Sequence, residues 1–172
     1  FKKRFQWLLT NEDEFPIFDK TKFQNFKTNS FDENLGWRQR LEGSGFNNRK
    51  KKYSNSINNH RVLLNKKKIK LISSFGDSYV YCNYIDDKFT WQEQISQKNN
   101  YNIVNYGVAN YGLDQAILKY QNTKLSKKTK VVIMGFVPET IVRIQTRWKH
   151  YVEFGNINGF KPRFYLKGKK LF

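Results

Sequence analysis

Gly76-Asp77-Ser78 closes the apolar run Ile69-Lys70-Leu71-Ile72-Ser73-Ser74-Phe75 and puts a serine hydroxyl where a strand gives way to a helix. A sharp strand-to-helix turn can present Oγ to a substrate instead of to the core, which is what nucleophilic attack on a carbonyl requires. The same tripeptide is also ordinary turn chemistry, since Gly allows positive φ while Asp and Ser bond their own backbone. Two further loops bear on the choice: Asn105-Tyr106-Gly107-Val108-Ala109-Asn110-Tyr111-Gly112 and Gly135-Phe136-Val137-Pro138-Glu139. Loops of this composition can turn backbone N–H groups toward a developing oxyanion.

These loops need strands to carry them. From Lys68 onward the hydrophobic pattern predicts strand 69–75, helix 88–98, strand 102–106, helix 113–125, strand 130–136 and helix 139–153. Such alternation predicts an α/β fold, a parallel sheet with helices on both faces. Val131-Val132-Ile133-Met134 reads as a strand buried on both sides. Leu113, Ala116, Ile117 and Tyr120 are expected to face the core, as are Ile141, Ile144, Trp148 and Tyr151. Ligands of open parallel sheets bind at the carboxyl ends of the strands, where all three loops fall. Residues 1–67 form a different, lead-in region: irregular over 1–34 apart from a short helix near Arg4–Leu9. Extended pieces follow at 35–38 and 53–58, separated by a Gly43-Ser44-Gly45 loop. Residues 162–172 look like the start of a β-hairpin around Lys167-Gly168.

The chain has 172 residues, enough for one domain with a sizeable core. It begins at Phe1 and stops at Phe172 inside a strand-like run, and so reads as a segment of something longer. No stretch approaches the roughly 20 apolar residues of a membrane span. The single Cys82 precludes an internal disulfide and fits no metal-ligand spacing. Thirty-two Lys and Arg against 14 Asp and Glu give a net charge of +18, which attracts polyanions such as nucleic acid or acidic polysaccharide. The basic residues are spread along the chain, as a solvated surface would have them.

Ile72-Ser73-Ser74-Phe75-Gly76-Asp77-Ser78-Tyr79-Val80-Tyr81 resembles the first block of the SGNH hydrolases, also called GDSL-type esterases. Asn105 through Ala116 resembles the second block of a bacterial branch, Val131–Arg143 the third strand and helix, and Leu35-Gly36-Trp37 with Asn58-Asn59-His60-Arg61 the lead-in. The resemblance covers 35–172. It implies a flavodoxin-like three-layer α/β/α fold and a serine esterase or acyltransferase without cofactor or metal, acting on a small-molecule or glycan ester, an O-acetyl group on a glycan among them. Ser78 would be the nucleophile, and the N–H groups of Ser78 and Asn110 the oxyanion donors. Asp77, Gly107 and Gln115 would be neighbouring positions in reach of substrate, with Asp77 more a turn and helix-cap residue than the triad acid.

The sequence departs from the family in three places. Asn110 stands where a glycine is usual, Val137 occupies a side-chain donor slot, and no Asp-x-x-His follows, so that pair is expected beyond Phe172. His60 is expected at the amino end of the sheet, and His150 roughly 18 Å along the third helix at 1.5 Å per residue. Asp86-Asp87 reads as a helix start or a metal pair, Glu139 and Arg143 as a helix-surface ion pair. Trp37 and Tyr111 read as packing, or as platforms for a sugar. The reading from a different class is a non-catalytic basic module of the same fold that binds a polyanion.

Overall fold

The computed structural model describes residues 18–40, 42–44, 52–56, 60–61, 63–64, 70–138, 140–153, 156–162 and 166–171. The short helix expected near Arg4–Leu9 lies outside them. At the centre is a three-stranded parallel sheet of β5 (Lys70–Phe75), β6 (Tyr101–Asn105) and β7 (Thr129–Met134), in the order β6-β5-β7. Ile72 pairs with Ile103 on one side and Val131 on the other. Successive strand residues point to opposite faces, and the two faces carry different helices. Ser74 receives a hydrogen bond from Gln92 of α3 (Trp91–Lys98), whereas the Phe75 ring meets Tyr120 of α4 (Leu113–Asn122) edge-on at 5.5 Å. The molecule is therefore an α/β structure with helices on both sides of a parallel sheet.

Before the sheet, α1 (Lys20–Asn29) stands within the segment 1–34 expected to be irregular, of which residues 18–34 are described. Asp19 caps it by accepting from the Lys22 N–H at 3.0 Å, and of its residues only Phe26 is buried, too little apolar periodicity to betray a helix. Two short antiparallel ribbons follow, β1 (Phe31–Asp32) with β2 (Gly36–Trp37) and β3 (Glu42–Ser44) with β4 (Lys52–Ser54). Gly43 and Ser44 thus belong to a strand rather than a loop. Phe26, Leu35 and Trp37 join Val108 and Tyr111 in one core cluster, and a second is built on Phe75, Val104 and Tyr106. Gly36 has φ +83°, and the Phe160 backbone lies where a side chain on it would stand.

The helix expected over 139–153 is α5 (Thr140–Gln145), followed by a separate 3-10 turn over Lys149–Tyr151 that contains His150. The break has a local cause. The Lys161 ammonium takes the carbonyls of Arg143, at 2.5 Å, and Ile144, the Lys161 N–H takes that of Arg147, and Trp148 bridges to Phe160. The chain from 156 to 162 thereby supplies partners that a longer helix would have found in itself. Ile141, Ile144 and Tyr151 are exposed, against expectation, and Thr140 is the buried residue of α5.

On α4 the buried residues are Gln115, Ala116 and Lys119, while Ile117 and Tyr120 are exposed. The buried stripe is rotated because this helix packs against the lead-in segment as well as the sheet. Among the described residues β7 is an edge strand and exposes Val131 and Val132, so its apolar run is not the mark of two buried faces. The hairpin expected at the end is present, β8 (Leu166–Lys167) pairing with β9 (Lys170–Leu171) around Gly168 at φ +64°. Among the described residues no helix is long and apolar enough to cross a membrane.

Candidate functional site

β5 stops at Gly76, whose φ of +156° and contact with the Gly135 carbonyl leave no room for a side chain. The chain turns directly into the one-turn helix α2 (Ser78–Tyr81). Asp77 is its cap: the buried carboxylate accepts from the Tyr79 N–H at 2.9 Å and the Val80 N–H at 3.5 Å. Ser78 is the first helical residue and half-buried, and among the described residues its hydroxyl has no hydrogen-bond partner.

The far end of α2 is held by three side chains from three different parts of the chain. Asn105, at the end of β6, donates to the Val80 carbonyl at 3.1 Å and the Tyr81 carbonyl at 3.2 Å, and accepts from the Gly107 N–H. Gln92 donates to the Val80 carbonyl at 2.6 Å. Arg61 donates to the carbonyls of Tyr81 (2.6 Å), Cys82 (2.9 Å) and Ile85, and its Nε meets Asp87 at 2.6 Å. The carbonyls that a single helical turn leaves without internal partners are therefore satisfied by fixed groups, which holds Ser78 in place. Asp87 is committed to Arg61 instead of pairing with Asp86 around a metal. No group of three ligating side chains that could hold a metal ion occurs among the described residues.

The β6 loop passes along the other side of Ser78, with the Val108 N–H bonded to the Gly76 carbonyl at 3.0 Å. Gly107 lies flat against the backbone of Val80 and Tyr81. Asn110 occupies the left-handed region at φ +65°, the conformation a glycine would have supplied, and its amide donates to Glu153 at 2.7 Å. Arg143 is expected to pair with Glu139 on a helix surface, and that expectation falls on a residue outside the described ones. The Arg143 Nη1 reaches Asp77 at 3.4 Å and the Tyr111 carbonyl at 3.3 Å, so one guanidinium from α5 links the β5 loop to the β6 loop.

Other expected positions are committed to packing. Gln115 is fully buried, donating to the Leu35 carbonyl at 2.8 Å and accepting from the Gly112 N–H, which leaves its amide no reach toward a ligand. Trp37 and Tyr111 are buried edge-to-face at 5.8 Å. The Tyr111 hydroxyl donates to the Trp37 carbonyl at 2.6 Å and the Trp37 indole donates to Ala109, so neither face is open to a sugar. Burial holds the Tyr111 phenol well above its usual range.

His60, expected at the amino end of the sheet, lies at its carboxyl end: the Arg61 N–H bonds the Asn105 carbonyl and the imidazole packs on Tyr106 at 5.2 Å. It is on the α4 face with Nδ1 at 2.7 Å from the Arg61 carbonyl, and burial draws its pKa below the ordinary value. The straight-helix distance for His150 lapses with the break after Gln145.

Between the β5 and β7 loops a cleft of about 190 Å³ opens against the turn that carries Ser78, lined by Asp77 and Tyr79 on either side of the serine in the chain and not by Ser78 itself. Asp77, Tyr79 and Val80 form one wall, Phe136 and Val137 the other, and Trp91 at the start of α3 closes the α3 side. In the order β6-β5-β7 this is where successive crossovers leave in opposite directions, the crevice in which open α/β sheets bind ligands.

No protein-family model matches the chain, and neither does any curated protein. Among solved structures it is similar to the crystal structure of AlinE4, a SGNH-hydrolase family esterase, with 18% identity and a TM-score of 0.32. The similarity covers 46% of this chain and 51% of that esterase, so it spans about half of its length. The α/β assignment rests on the strand order and registers of the chain itself.

Proposed function

We propose that this chain carries the nucleophilic part of a serine esterase or acyltransferase. The observation that carries the reading is the Ser78 hydroxyl, uncommitted among the described residues, on the first residue of a braced one-turn helix at the carboxyl end of the central strand. Oγ attacks the ester carbonyl carbon, the oxygen of that carbonyl takes the negative charge, and collapse breaks the bond to the alkoxide, which leaves with a proton as the alcohol. Water or a second hydroxyl then takes the acyl group from Oγ. The N–H groups of Ser78 and of the left-handed Asn110 are the donors offered to the oxyanion, each worth about 3 kcal/mol of barrier.

The base that takes the Ser78 proton is assigned to the Asp-x-x-His pair that the family resemblance implies. His60 is turned to the Arg61 carbonyl and packs on Tyr106. A fluorophosphonate probe tests the reading. Wild-type protein is expected to be labelled, Ser78→Ala to be unlabelled, and added imidazole, a base supplied from solution, to raise the rate. Turnover of p-nitrophenyl acetate by residues 1–172 is expected to be small without imidazole. Labelling that survives Ser78→Ala overturns the assignment.

A further inference from the structure

We propose that the cleft between Tyr79 and Phe136 is an acyl site, and that the acid part of the ester is an uncharged, apolar group larger than acetyl. The inference rests on Ser78 being the nucleophile and adds which half of the ester lies on which side of it. The β6 side of Ser78 is polar, with the Asn110 turn and the Arg143 guanidinium. The β7 side is apolar, with Tyr79, Val80, Trp91, Phe136 and Val137.

Among the described residues the one charged group lining the cleft is already paired, because Asp77 holds the Tyr79 and Val80 N–H groups through one oxygen and Arg143 through the other. A polyhydroxylated alcohol placed there would give up hydrogen bonds to water and find few replacements, whereas an alkyl or aryl chain loses none. The site is open to such a group: Tyr79, which follows Ser78 in the chain, is 65% exposed and Phe136, across the cleft, 61%. At about 190 Å³ the cleft is smaller than the roughly 300–1,000 Å³ that holds drug-sized ligands, and suits one short chain or a single ring. An acetyl group would leave most of it empty.

Two measurements on the whole chain test this separately from the nucleophile. In Ser78→Ala, which cannot turn an ester over, saturation-transfer NMR is expected to detect methyl hexanoate and to show at least fivefold weaker signal for methyl acetate. Adding Phe136→Ala is expected to remove the difference. In the otherwise wild-type protein, imidazole-assisted cleavage is expected to be faster for p-nitrophenyl hexanoate than for the acetate, and Phe136→Ala to equalise the two. Phe136 is largely exposed, so its loss leaves the core intact, and a circular dichroism spectrum checks this. Equal binding of both esters, or a chain-length preference unchanged by Phe136→Ala, overturns the acyl site. Ester cleavage that persists in Ser78→Ala while the cleft still selects hexanoate overturns the nucleophile and leaves the cleft standing.

Discussion

Asp77 has two neighbours that pull in the same direction, the helix amides it caps and the Arg143 guanidinium. Asp77→Ala removes the cap and is expected to cost about 1–2 kcal/mol in urea denaturation, with Asp77→Asn closer to wild type because Asn also caps. Arg143 makes two long bonds, so Arg143→Met is expected to change stability by less than about 1 kcal/mol. It should nevertheless slow fluorophosphonate labelling of Ser78 several-fold, since the two loops flanking the serine lose their shared donor. Equal labelling rates would assign Arg143 no part in placing the loops. The turn at Ser78 was legible because Gly, Asp and Ser act on their own backbone within three residues. Arg143 was not, since its partner lies 66 positions earlier and only folding reveals the pair.

Elements were legible to the extent that their burial was local. The bounds of the strands and of α3 and α4 fell close to expectation, because hydrophobic periods mark where an element runs, although α4 buries Gln115 and Lys119 where Ile117 and Tyr120 were expected. The length of α5 was not legible, since Lys161 decides where that helix ends. Nor was α1, which is anchored by one phenylalanine and a cap. The one-turn helix α2 depends on borrowed donors in the same way. Arg61→Met strips the donors from the Cys82 and Ile85 carbonyls and leaves Asp87 without its guanidinium, though Asn105 still serves Tyr81. The expected loss is about 3–5 kcal/mol by chemical denaturation, the cost of breaking a buried pair from one side. Arg61→Lys is expected to recover only part of it, because an ammonium cannot reproduce the planar fork. A loss under about 1 kcal/mol would show that α2 stands without it.

The whole molecule carries its electrostatic tension inside as well as on its basic surface. Lys119 is buried, and burial draws its ammonium down to about 7 while Asp32 pulls the other way. The unfolded chain keeps that proton to about pH 10.5, so between 7 and 10.5 the unfolded state binds more protons than the native one. Stability is therefore expected to rise with pH across that window, by about 1–3 kcal/mol from pH 7 to 9, with the full burial penalty present below 7. Urea titrations at each pH measure the slope, and Lys119→Met should flatten it. The contact between Gly36 and the Phe160 backbone bears on how the molecule is made. Phe26, Leu35 and Trp37 wait for Val108 and Tyr111 to complete their core, and the backbone at Gly36 then closes only on residues near the other end of the described chain. Closing such long loops is slow and comes late. During synthesis the lead-in segment therefore settles only after later residues have emerged, holding Trp37 in water until Val108 and Tyr111 are there to cover it.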